Sequence, residues 1–185
     1  LIDMKPACRQ MTDLLAAVSD DQLANPTPCT EYDLGDLIEH IDEVARGFTG
    51  IARNDGGEQA TAVRRPDLAD GPRADVAKRV QVLGESWDDP DAWRGSTEGP
   101  GVELPNELWG KIALTELVVH GWDIAQSIGR DIDLPDDTLK ACLDHVAEFV
   151  PNAPIPELWG DAVEAPPGAA RLDRILAISG RNPFR

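Results

Sequence analysis

Long apolar runs are missing from this chain. None approaches the roughly 18 residues that a membrane-crossing helix requires, so no spanning segment is expected. Cysteine is scarce: Cys8, Cys29 and Cys142 are odd in number and far apart. That excludes a disulfide framework and a cysteine-type zinc site, and fits reduced thiols. Basic charge is also short, with 17 Lys and Arg against 34 Asp and Glu and a net charge of -17. Such a chain repels nucleic-acid phosphates and anionic membrane surfaces, so neither is an expected partner. The first residues include Asp3 and Lys5 and no continuous apolar core, unlike a secretory leader. The expected location is the cytoplasm, where acidity serves solubility. Histidine is limited to His40, His120 and His145, which leaves few imidazoles for any metal.

What is present is helical periodicity. At 185 residues, with 42% hydrophobic and 28% charged residues, the chain can bury a sizeable core. Met4, Ala7, Cys8, Met11, Leu14, Leu15 and Val18 recur at three- and four-residue steps and predict a first amphipathic helix. Pro26 and Pro28 open a loop carrying Cys29, with no Lys, Arg or His near it in sequence to activate the thiol. Asp33 and Asp36 suit the start of a second helix, whose stripe is Leu37, His40, Ile41, Val44, Phe48 and Ile51. Residues 55 to 73 read as a long connection, with Arg64 and Arg65 in a solvated loop. A third helix is expected over about 74 to 86 with Val76, Val80, Leu83 and Trp87 inward, then an irregular segment over 88 to 104. The fourth starts after Pro105 and stops at Gly129. A fifth runs from about Asp136 to Val150, with His145 at the rim of its stripe. A proline-rich tail follows, ending in an amphipathic piece from Leu172 to Ile178 flanked by Arg171, Arg174, Arg181 and Arg185. The expected role of these arginines is docking onto the acidic body.

The chemistry concentrates in the fourth helix, in the stretch from Leu114 to Ala125. Glu116 and His120 stand four residues apart there and share one face with Ile112, Ala113 and Val119. A carboxylate and an imidazole aimed into an apolar interior must be paired, hydrogen-bonded or metal-bound. His40 faces inward on another helix. Two histidines and one carboxylate make a ligand set familiar for catalytic zinc, which keeps a coordination position open. A hydrogen-bonded core histidine at His40 and a metal-free ion pair at Glu116 remain alternatives at this level. Asp123, three residues after His120, either orients that imidazole or pairs elsewhere.

The segments Thr27-Pro-Cys-Thr-Glu-Tyr-Asp-Leu-Gly-Asp-Leu-Ile-Glu-His40 and Glu116-Leu-Val-Val-His-Gly-Trp-Asp123 resemble the actinobacterial branch of the DinB-like superfamily that includes mycothiol-dependent maleylpyruvate isomerase. Trp159-Gly-Asp-Ala-Val, Leu172-Asp-Arg-Ile-Leu and Gly180-Arg-Asn-Pro extend the likeness towards that family's shorter members. The resemblance implies an all-α, DinB-like four-helix bundle over residues 1–150, with an additional helix, and a Pro-rich extension over 151–185 packed on it. It also implies a divalent metal, usually zinc, held by His40, Glu116 and His120, with mycothiol as a co-substrate. The family's isomerase has a further C-terminal domain that supplies an arginine. Only residues 151 to 185 follow the fifth helix here, and no motif assigns that role to Arg171, Arg174 or Arg181. The expected function is therefore a zinc- and thiol-dependent transferase or isomerase acting on a small molecule. The alternatives are a non-catalytic metal- or ligand-binding bundle and a metal-dependent hydrolase. An apolar helix face serves a core or a homodimer equally well.

Overall fold

The computed structural model describes residues 1–55, 72–99, 101–154 and 158–184. It comprises two compact units, Leu1–Asp133 and Leu134–Arg185. The first contains four helices: α1 (Lys5–Ala17), α2 (Leu34–Arg53), α3 (Pro72–Ser86) and α4 (Asn106–Ser127). Both α1 and α2 pack against α3 and α4, so the four close a ring in the order α1, α3, α2, α4. This is a four-helix bundle, and it makes α2 and α4 neighbours. The fold is mainly α-helical and DinB-like, as expected.

The helices form where the sequence periodicity places them. All seven apolar residues of the α1 stripe are buried, as are Val76, Val80, Leu83 and Trp87. The Asp33 side chain caps α2 by accepting from the Asp36 amide at 2.9 Å, and Asn54 ends it in the left-handed conformation at φ 55°. Helix α4 is the central element, with fourteen of its twenty-two residues buried. That follows from its having apolar residues on both faces. Among the described residues no helix is long and apolar enough to cross a membrane.

Polar contacts fix how these helices meet. Asp42 on α2 is 1% exposed and accepts from Arg46 at 2.8 Å and from Arg79 of α3. One buried carboxylate between two guanidiniums is a compensated arrangement, and it pins α2 to α3. Gly84 of α3 lies against α1, where a Cβ would come within 2.9 Å of the Cys8 sulfur.

The segment before α4, expected to be irregular, contains a 3₁₀ turn (Pro90–Trp93) and an antiparallel hairpin of β1 (Ser96–Gly99) and β2 (Val102–Pro105). Strands of four residues carry too little alternation to register as strands. Their stability comes from α4 instead. Asn106 donates to the Arg94 carbonyl at 2.9 Å, and its side-chain oxygen lies 2.7 Å from the Thr97 hydroxyl. The Trp109 indole donates to the Thr97 carbonyl at 2.9 Å.

The second unit contains α5 (Asp136–Phe149) and α6 (Arg171–Ile178), which pack together. Arg171 pairs with Asp136 inside this unit. His145 is not a rim residue: it is 6% exposed, and its ring stacks on Phe149 one turn further on. The aromatic neighbour supplies the cover that the helical stripe alone did not reveal. Arg64, Arg65 and Arg185 lie outside the described residues.

Gly110 of α4 offers a test of the packing. A Cβ there would meet the rings of Trp93 and Trp87 at 2.7 and 2.8 Å. Both rings are fixed by their indole hydrogen bonds, Trp87 to the Phe48 carbonyl and Trp93 to the Trp87 carbonyl. Alanine gains about 1 kcal/mol of helix propensity, whereas overpacking a core costs about 1–3 kcal/mol. Gly110→Ala is therefore expected to destabilise the protein in urea unfolding. An unchanged or raised midpoint would refute the packing account.

Candidate metal centre

The α2–α4 contact carries His40 to Glu116 and His120. Glu116 Oε2 lies 3.1 Å from His40 Nε2 and 3.2 Å from His120 Nε2. The two imidazoles meet edge to face, with centroids 4.9 Å apart. One donor atom from each of the three residues lies within 4.8 Å of the others, so the set can hold a metal ion. On the far side of His120, Nδ1 is 3.0 Å from Asp123 Oδ2. Of the two roles open to Asp123 in the sequence, the structure therefore shows the orienting one. Side-chain exposure falls from 25% at His40 and 22% at Glu116 to 11% at His120 and zero at Asp123. Solvent thus approaches from the His40–Glu116 side.

The electrostatics follow from this geometry. Burial works to raise the Glu116 pKa, but the hydrogen bonds from His120 and His40 outweigh it and hold the carboxyl well below its usual range. Burial works to lower that of His120, but the hydrogen bonds to Asp123 and Glu116 prevail and raise it to about 9. At neutral pH and without a cation, His120 is therefore an imidazolium, donating from Nδ1 to Asp123 and from Nε2 to Glu116. A cation at Nε2 would replace one proton and leave the Asp123 bond in place.

Sequence reasoning missed two residues that border this cluster. Tyr32 stacks on His40, with centroids 5.3 Å apart and planes 21° from parallel. Burial and the surrounding acidic groups push its phenol up. Cys29 is the other. Its sulfur, a carboxylate oxygen of Asp123 and a ring nitrogen of His120 lie within 4.8 Å of one another. No cation precedes or follows Cys29 closely in sequence, and the fold supplies one from 91 residues away. The loop that carries it is tightly closed. The Thr27 hydroxyl lies 2.8 Å from both the Cys29 and Tyr32 carbonyls, and the Tyr32 amide donates to the Cys29 carbonyl at 3.1 Å. Its base is tied to the end of α4: Asn25 donates to the Ser127 carbonyl, and the Ser127 hydroxyl donates to the Pro26 carbonyl, each at 2.9 Å. The only sequence signal was the stretch from Thr27 to His40, which begins at this loop. Asp36 and His145 belong to neither donor group found among the described residues.

Residues 4–125 match the family model described as mycothiol maleylpyruvate isomerase N-terminal domain. An uncharacterized protein of Mycobacterium tuberculosis, from strain CDC 1551 and again from strain H37Rv, is 31% identical over 121 residues. That alignment covers 65% of this chain and 63% of the relative's length. No solved structure matches.

The cluster sets a pH dependence for the metal-free protein. The imidazolium of His120 has a folded pKa raised from 6.5 to about 9, so its stabilisation is complete below pH 6.5 and is lost as pH rises to 9. The ionised Glu116, whose pKa is lowered from 4.5, stabilises above pH 4.5 and is lost as pH falls further below it. Chelator-treated protein should therefore melt at lower temperature at pH 9 than at pH 6.5, and His120→Gln should flatten that difference. A wild-type melting temperature that holds steady across this range would contradict the assignment.

Proposed function

The chain belongs to the mycothiol maleylpyruvate isomerase N-terminal domain family, and from that membership and the convergence of His40, Glu116 and His120 we propose a divalent-metal-dependent, low-molecular-weight-thiol-dependent transferase or isomerase. The observation that carries this reading is the donor set itself. Two imidazole nitrogens meet on one carboxylate oxygen, and the outer nitrogen of one imidazole is already held by Asp123. Oriented imidazole with a carboxylate behind it is the usual support of a metal-ligating histidine.

Two histidines and one carboxylate suit zinc and leave a coordination position open. Bound there, zinc would stabilise a mycothiol-type thiol as its thiolate near neutral pH, keeping the nucleophile available for addition to a small-molecule substrate. The protein's own contribution is positional. Asp123 fixes the ring of His120, Tyr32 lies flat against that of His40, and Glu116 is kept ionised across the working pH range. The more exposed His40–Glu116 side is the approach for thiol and substrate. Because the match spans 63% of the curated relatives' length, the substrate and the cellular context belong to this proposal as well. So do zinc as the native ion, a cytoplasmic location and any pairing of two copies.

One observation favours a different reading. Glu116 already accepts from both histidines, which would suffice for a metal-free structural ion pair. The two readings separate in solution. Elemental analysis should find about one zinc per chain, lost in His40→Ala and in His120→Ala. Calorimetry should show mycothiol binding that disappears when the metal is removed. Protein that holds no stoichiometric divalent ion after mild purification, and melts unchanged with a chelator, is the structural ion pair instead.

A further inference from the structure

The two nitrogens of His120 face different neighbours. Nε2 is turned to Glu116 at 3.2 Å, whereas Nδ1 is turned to Asp123 at 3.0 Å. Cys29 Sγ completes a second set with Asp123 and His120, its three donor atoms within 4.8 Å of one another. Because Asp123 is the carboxylate on the Nδ1 side, this set opens on the opposite edge of the imidazole from the first. Thiolate, imidazole and carboxylate together favour a soft or borderline divalent cation over a hard one.

We propose that Cys29, Asp123 and the Nδ1 edge of His120 form a second, thiophilic metal site next to the His40–Glu116–His120 set. The proposal does not rest on the function assigned above, since it uses neither His40 nor Glu116. Asp123 is fully buried, and Cys29 is partly accessible, so a cation enters from the loop and meets a carboxylate already aimed at the ring. The loop's internal hydrogen bonds and its two ties to α4 hold the sulfur in position. On binding, the metal–sulfur bond forms as the thiol releases its proton to solvent, and the metal–nitrogen bond forms as Nδ1 likewise loses its proton to solvent, which leaves Asp123 ionised to coordinate the cation. The two sites are coupled through the shared ring. A cation at Nδ1 removes the hydrogen bond by which Asp123 orients His120, so filling the second set weakens the first.

Cadmium alone is a suitable probe, because a cadmium–thiolate bond absorbs in the ultraviolet and carboxylate or imidazole ligation does not. Cys8 and Cys142 are buried, and burial pushes the Cys8 thiol up to about 12, so neither competes for the ion in folded protein. Titration of the wild type should give a saturable charge-transfer band with one cadmium bound per sulfur. Cys29→Ser, checked for an unchanged helical spectrum, should lose the band and weaken cadmium binding at that step by at least about tenfold. His40→Ala should keep the band. Zinc binding at the first set should persist in Cys29→Ser and fall as cadmium fills the second set in the wild type. A wild type without the band, a band that survives Cys29→Ser, or one that disappears in His40→Ala overturns the proposal. Loss of zinc binding with the band intact would sink the first site and leave this one standing.

Discussion

A single carboxylate oxygen governs the heart of the first unit. Glu116 Oε2 receives both His40 and His120 within a bundle whose core is mainly apolar. An isolated carboxylate there would face a desolvation cost of several kcal/mol, which only compensating partners or a cation remove. Each partner is supplied by a separate structural decision. His120 comes from one turn along the same helix, and His40 requires α2 to lie beside α4 at a matching height. The Asp42 clamp acts on that height by pinning α2 to α3 two residues beyond His40.

All the donors, including Cys29 and Asp123, fall inside the 4–125 stretch that matches the family model. The second unit begins beyond it, at Leu134. The candidate donors thus lie in the part of the chain that the family model covers.

Periodicity made the helices and the primary donors legible in the sequence. His40 sits in an apolar stripe, and Glu116 and His120 are four residues apart on one face, so a 3.6-residue repeat is enough to turn them inward. Cys29 and Tyr32 were not legible in that way. Their position depends on a loop closed by Asn25 and Ser127, residues 102 apart in the chain, and no local pattern encodes such a closure. His145 shows the opposite failure: its place at the edge of a stripe suggested exposure, but Phe149 stacked over it. The hairpin before α4 escaped for a related reason, because its anchors, Asn106 and Trp109, belong to the following helix.

The ties between Asn25, Pro26 and Ser127 join the loop before α2 to the end of α4 without using any donor atom of the cluster. Together with the Asp42 clamp they form a brace around the site, so the scaffold and the chemistry are held by different residues. Loss of a donor therefore removes a charge pair from the cluster without removing a brace contact. Such a division separates the residues that close the bundle from those that would meet a ligand, although both meet in the short loop that carries Cys29.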